Sequence, residues 1–319
     1  MSLSALLARR LLFTVGKGGV GRTTVTLALA LEAARRGKRV LVVELEGARG
    51  LEHALGGLRR AADPASGLER ISYLAVDGRA ALEEYLAMVI PVRRLLSTIF
   101  ESAIYQYFVA AAPGLKELMT VGKIWFEANR SESGAEDAPE IVLVDAPATG
   151  HSLQYLRMPA AALEAFPVGL VHREAERVLG LLRDPLATAV VVVSTAEEMP
   201  ANETLEIFSG LGEIGLSIAA LVLNQVHSAP CDPSVLERLG RAVSDEERRS
   251  DDLLFAEAVR RAEEEAGWAR LNARQVERLR EATGTTTTVF PYLFREEFGA
   301  TEVLALAGIL RSEGGGDPS

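Results

Sequence analysis

Three observations predict a doubly wound α/β fold with a mainly parallel sheet for this 319-residue chain. Short, continuously apolar, β-branched runs recur along the sequence, the pattern of strands buried on both faces. Helical stretches lie between them, as parallel crossovers require. The first run passes directly into a glycine-rich turn, Gly16-Lys17-Gly18-Gly19-Val20-Gly21-Arg22-Thr23-Thr24, which opens a helix.

The elements follow in order. Leu11 to Val15 is the first strand, and Val25 to Arg36 is the helix after the turn, stopped at Gly37. Arg39 to Val43 is a second strand, and Ile71 to Val76, ending at Asp77, adds another. Gly78 to Arg130 is a helix-rich insertion, and the polar, acidic run Ser131 to Pro139 reads as an exposed loop. Ile141 to Val144 is a strand that ends in Asp145, and Ser152 to Asp184 is a second helical stretch. Ala189 to Val193, Ala219 to Leu223 and Thr285 to Phe290 complete the strands. A third helical stretch spans Asp245 to Ala282, with Val259, Ala262, Ala266, Ala269, Ala273 and Val276 on one face. The Glu and Arg residues between them are most simply a solvated face. The chain reads as one domain over residues 1–319. Residues 78–187 form a mostly helical subdomain, interrupted by a strand and switch at 140–151, and residues 314–319 form a disordered tail.

Bulk properties narrow the function. A hydrophobic content of 48% with 24% charged residues is globular. The net charge of −10 argues against a nucleic-acid groove or attraction to anionic lipid. Cys231 is the single cysteine, which excludes an internal disulfide and fits a reducing, cytoplasmic location. The N-terminus is too short in apolar length for a signal peptide, and no stretch offers about 20 uncharged apolar residues for a membrane span.

The glycine-rich turn carries the chemistry. Strand, turn and helix in that order are the context of a phosphate-binding loop. Glycines let the backbone curl with its N–H groups pointing inward, and the helix N-terminus adds its positive end. The spacing G-x-x-x-x-G, a basic residue, then Thr is specific for a nucleotide site.

The extra Lys17 after the first glycine makes the loop resemble the deviant Walker A motif. That motif belongs to the ATPases of arsenical pumps, tail-anchored-protein targeting (the guided-entry ATPases), septum placement and partition, and to the nitrogenase iron protein. The resemblance implies that Lys17 reaches across a dimer interface to the partner's nucleotide. Arg22 stands where that family has a second lysine; it binds phosphate bidentately but is bulkier. Thr23 would ligate Mg²⁺ between the β- and γ-phosphates of ATP. Thr24 either faces the α-phosphate or is simply an early helix residue. Asp145, at a strand's carboxyl end beside the loop, is placed to hold Mg²⁺ through water.

Further motifs narrow the resemblance to the arsenical-pump and tail-anchor branch. Asp145-Ala146-Pro147-Ala148-Thr149-Gly150-His151 is similar to its D-T-A-P-T-G-H switch, with His151 in a switch role rather than as a base. Val43-Glu44-Leu45-Glu46-Gly47 lies where that branch has S-T-D-P, so Glu46 aligns with the aspartate that orients the attacking water; the alternative is an ordinary charged loop. Asn224-Gln225 is similar to a strand-end N-Q whose asparagine reads adenine, and an amide can both donate and accept there. Pro291 and Tyr292 resemble the loop beside the base. A lone cysteine leaves no C-x-x-C zinc pair, no arsenite-capturing thiol set and no iron–sulfur bridge.

Leu95 to Ala112 carries one charge, Glu101, and a cluster of aromatics. It leads into Pro113 to Met119, similar to the family's P-G-x-x-E segment. Leu95–Met119 is either a helix in this protein's own core or one wall of a groove for an apolar client or ligand. The V-E-L-E-G, E-Y-L and P-G-L-K-E-L segments are most similar to a bacterial subgroup that works beside a paralogous ATPase. The expected assembly is therefore a homodimer or a heterodimer with such a paralogue.

Overall fold

The computed structural model describes residues 2–45, 50–61, 67–89, 114–130, 135, 137–147, 149–246, 253–296 and 298–314. Its centre is a seven-stranded, all-parallel sheet: β1 (Leu11–Gly16), β2 (Val40–Leu45), β3 (Ile71–Val76), β4 (Ile141–Asp145), β5 (Thr188–Thr195), β6 (Ile218–Val226) and β7 (Thr287–Pro291). The order across the sheet is β3-β2-β4-β1-β5-β6-β7. β1 is therefore central, with Thr14 level with Asp145 of β4 and Gly16 level with Val193 of β5.

The apolar runs are buried on both faces, as their continuity predicts. Leu12, Ile141, Leu143, Val191 and Val193 belong to the core on one side, while Phe13, Val15, Val142, Val144 and Val192 belong to the core on the other. Period-two alternation thus survives inside runs that look uniform, each strand feeding two cores. Helices α1 (Leu3–Leu7), α2 (Arg22–Arg35), α3 (Gly50–Ala61) and α11 (Ala300–Gly314) pack on the first side. Helices α5 (Leu115–Asn129), α6 (Thr149–Ala165), α7 (Leu170–Arg183), α8 (Glu198–Glu213) and α10 (Leu253–Thr283) pack on the second. Buried Glu32 of α2 accepts from Arg311 of α11 at 3.1 Å, pinning the last helix beside the first long one.

The stretch read as a helical subdomain opens with α4 (Gly78–Val89). Asp77 accepts from the backbone N–H groups of Arg79 and Ala80, satisfying donors that the helix start leaves open. Gly78 is required by packing: a Cβ there would lie 2.6 Å from the Lys116 carbonyl. On α8, a Cβ at Gly210 would lie 3.0 Å from Leu153 of α6, so those helices approach closely.

Two boundaries differ from the sequence expectation. The last strand begins at Thr287, two residues after Thr285, because Thr283 and Thr285 exchange local backbone and hydroxyl bonds first. Asp245 belongs to α9 (Pro233–Glu246), and α10 is a separate 31-residue helix. Its buried line is Val259, Ala266, Asn272, Val276 and Leu279, whereas Ala273 is exposed. Asn272 turns inward because it donates to the Ala196 carbonyl at 2.8 Å and accepts from the His227 N–H at 2.9 Å. Glu46, Ala148 and residues 95–113 lie outside the described residues, as does the tail beyond Gly314, which closes α11. Among the described residues no helix is long and apolar enough to cross a membrane.

Candidate functional site

The glycine-rich turn joins the carboxyl end of central β1 to the start of α2. Gly19 and Gly21 take φ of +86° and +88°, conformations that side chains disfavour. Gly21 caps α2, and a Cβ there would lie 2.2 Å from Asn224 Nδ2. Gly16 approaches β5 so closely that a Cβ would lie 2.2 Å from the Val193 carbonyl oxygen. Beneath the loop, the hydroxyls of Thr14 and Thr26 meet at 2.5 Å, Thr14 donates to the Val144 carbonyl at 3.1 Å, and Thr26 bonds the Arg22 carbonyl at 3.0 Å. These buried bonds tie β1, β4 and α2 into one frame.

Asp145 stands at the end of β4, facing the first turn of α2. Its Oδ2 accepts from the Thr23 hydroxyl at 2.5 Å. Its Oδ1 is buried and has no hydrogen-bond partner among the described residues. Burial raises the carboxyl from 3.8 to about 6, against the opposing pull of the Thr23 hydroxyl and Arg22; the neighbouring Glu44 adds to the rise. A buried acceptor left unpaired is costly, and it fits a hard cation held by one carboxylate, one hydroxyl and phosphate oxygens. The Arg22 guanidinium donates to the Ala146 carbonyl, the first residue after Asp145. Burial holds its pKa below the ordinary arginine value, partly offset by Asp145.

Lys17 is not paired with Asp145. Its Nζ lies 2.6 Å from Glu203 on α8. Thr23 and Thr24 open onto a recess of about 220 Å³, lined also by His53, Gly57 and Phe298.

The base-side residues converge from far apart. Asn224, at the end of β6, is 5% exposed and donates from Nδ2 to the Val20 carbonyl at 2.9 Å. Gln225 follows with φ of +57°, its amide 3.5 Å from the Gly19 carbonyl. The strand-end pair therefore braces the phosphate loop. Tyr292, just past Pro291 at the end of β7, stacks on His227 with ring centres 4.4 Å apart and planes 16° apart. Phe294 meets Tyr292 edge-on at 4.8 Å, and His227 bonds Glu265 at 2.8 Å. Tyr292, Phe294 and Trp268 are 40%, 68% and 51% exposed, an open aromatic cluster around His227.

Two acids escaped the sequence reading. Glu203 is brought to Lys17 only by the pairing of β1 with β5. Glu44 is level with Asp145 on the adjacent strand and is 4% exposed. It accepts from the Leu51 N–H at 3.1 Å and from the Tyr73 hydroxyl at 2.7 Å. A charged residue inside a buried parallel strand was its available signal, obscured by the neighbouring Glu46. Among the described residues no three His, Cys, Asp or Glu side chains converge as a metal cluster.

A parallel sheet with a phosphate nest at its central strand and a half-satisfied acid beside it defines the class as the P-loop ATPases. Residues 9–168 match the anion-transporting ATPase family, and the chain belongs to that family. It is 30% identical over 260 residues to ATPase BagA of Mycobacterium tuberculosis, covering 79% of this chain and 76% of that protein. It is 27% identical over 234 residues to the arsenical pump-driving ATPase of Acidiphilium multivorum, covering 67% of this chain but 39% of that longer protein. It is 23% identical over 265 residues to ATPase GET3 of Kluyveromyces lactis, covering 72% of this chain and 76% of that protein.

Proposed function

We propose that this chain is a Mg²⁺-ATP-dependent dimeric switch, acting in the cytoplasm as a homodimer or as one half of a heterodimer with a paralogous ATPase. The single observation that carries the reading is Asp145, bonded to Thr23 through one oxygen and unpaired at the other, beneath a glycine-rich phosphate nest. Mg²⁺ would supply charge neutralisation between the β- and γ-phosphates. Thr23 and Asp145 would hold it, directly and through water. Backbone N–H groups from Lys17 to Thr24 bind phosphate, with Thr24 at the α-phosphate. Arg22 spans the phosphate and the Ala146 carbonyl, so it reports the nucleotide to the segment after Asp145. Glu46 orients the attacking water, Asn224, Pro291 and Tyr292 border the base, and Lys17 acts on the partner subunit's phosphates.

Calorimetric titration with Mg-ATP tests this. Wild-type protein binds, and Gly21→Val binds at least roughly a hundredfold more weakly, because a β-branched side chain would sit at positive φ against Asn224. No affinity in the wild type would overturn the reading.

A second reading is favoured by Arg22. Its bulk and its bond to the Ala146 carbonyl suit a subunit that hydrolyses poorly itself while donating Lys17 in trans to a paralogue. Turnover that appears only on adding the paralogue selects it. Coupling to an apolar client or ligand is supported by a cavity of about 170 Å³ between α4, α5 and α7, lined by Tyr85, Leu118, Met119, Phe126, Val171 and Val178. The apolar loop beside it exposes Phe166 and Val168. Of Leu95–Met119, the described part of this wall is Leu118 and Met119.

A further inference from the structure

The Lys17–Glu203 pair follows from topology. β1 and β5 run side by side with Gly16 level with Val193, so the residue after β1 emerges beside the start of α8, which begins three residues past β5. Glu203 sits in the second turn of α8, and its neighbour Asn202 accepts from Arg278 of α10 at 2.7 Å, fixing that turn. The Lys17 and Glu203 side chains are 32% and 29% exposed, so the pair is partly shielded from solvent. An ammonium paired with Glu203 has its charge offset by that carboxylate and one of its three donors occupied, so it neutralises a phosphate in another subunit less well.

Composition adds an independent argument. Of 34 basic residues only four are lysines, at positions 17, 38, 116 and 123. Arginine fills even the basic position inside the phosphate loop, Arg22, yet position 17 is lysine. A guanidinium fork on Glu203 would hold by two parallel bonds, whereas a compact ammonium on a flexible stem can exchange one acceptor for another.

We propose that Glu203 is a positioning residue for Lys17. It holds the lysine within its own subunit and competes for it with the phosphates of the partner subunit. This rests on the dimeric reading above. Forming a symmetric dimer breaks two such pairs. If each is worth roughly threefold, as a partly exposed pair is, the dimer is weakened roughly tenfold.

The test compares wild type, Glu203→Gln and Glu203→Asp. Acetylation of the four lysines by an amine-reactive ester, followed by mass spectrometry without nucleotide, reads the pair directly. Lys17 labelling should rise about three- to tenfold in Glu203→Gln and stay near wild type in Glu203→Asp. Lys38, Lys116 and Lys123 should be unchanged. Sedimentation with Mg-ATP should then show dimers roughly tenfold tighter in Glu203→Gln, returning toward wild type in Glu203→Asp. Equal Lys17 labelling in all three proteins overturns the pair. Faster labelling with dimers no tighter than wild type overturns the positioning role. Wild-type protein that binds Mg-ATP but dimerises neither with itself nor with a paralogue defeats the dimeric reading and the proposal with it, a result distinct from both.

Discussion

The ends of β2 and β4 place two acids level with each other, and the two are treated oppositely. Glu44 is 4% exposed and has both carboxylate oxygens occupied, by the Leu51 N–H and the Tyr73 hydroxyl. Asp145 is 8% exposed and has one oxygen bonded to Thr23 and the other unpaired. Glu44 ties β2 to the first turn of α3 and to β3, so it fixes the ends of the segment that contains Glu46. Asp145 is left short of partners where a cation would complete them. Equal burial therefore distinguishes nothing; the unfilled lone pair does. A fold tolerates one such cost where function needs it.

The comparison breaks most visibly at Asp145. Asp145→Asn keeps an acceptor for Thr23 but removes the buried charge. The gain in ATP affinity that Mg²⁺ confers should fall at least roughly a hundredfold, read by titration with and without the metal. The same variant should be more stable than wild type at neutral pH, by up to about 3 kcal/mol, since moving a carboxyl from 3.8 to about 6 penalises its ionised form by that much. The sign follows from proton binding: between pH 3.8 and about 6 the folded state holds a proton that the unfolded chain has lost. The stabilisation is full below pH 3.8 and is lost as pH rises through about 6. The stability difference between Asp145→Asn and wild type should thus widen over that window and level off above it. A difference flat with pH would erase the contrast between the two acids.

Glu44→Ala should behave in the opposite way. It removes the acceptor of the buried Leu51 N–H and one acceptor of the half-buried Tyr73 hydroxyl, and should cost about 1–3 kcal/mol in chemical denaturation, with a smaller loss of Mg-ATP affinity than Asp145→Asn. Tyr73→Phe removes one donor to the same carboxylate and should cost about 1 kcal/mol, the smallest effect of the series. Tyr73→Phe matching Glu44→Ala would mean that the Leu51 contact contributes nothing.

The difference in legibility has the same physical origin. The glycine-rich turn is one contiguous stretch between a strand and a helix, so the placement of Gly16 to Thr24 could be read directly, as could that of Asp145 at the end of an apolar run. Five of the seven strands announce themselves as continuous β-branched runs. The start of β7 was displaced by local threonine bonds that apolar patterning does not register. The last long helix was read from Asp245, inside α9, and the rest of α9 was missed, because apolar periodicity was followed only along the later stretch. Glu44 was passed over because motif spacing favoured Glu46, and only the pairing of β2, β3 and β4 reveals its partners. Glu203 was out of reach altogether, since 186 residues separate it from Lys17. Asn224 was recognised as a strand-end amide, but its bond to the Val20 carbonyl depends on how far β6 extends.

The close approach at Gly210 has a mechanical consequence. A methyl group there would press on Leu153, so α8 and α6 mesh without backlash. One turn along the same contact, Arg157 of α6 meets Glu213 at the C-terminal end of α8 at 2.7 Å. α8, 16 residues and about 24 Å long, therefore runs from Glu203 beside Lys17 to its contact with α6, which packs in turn on α7 and the apolar cavity wall.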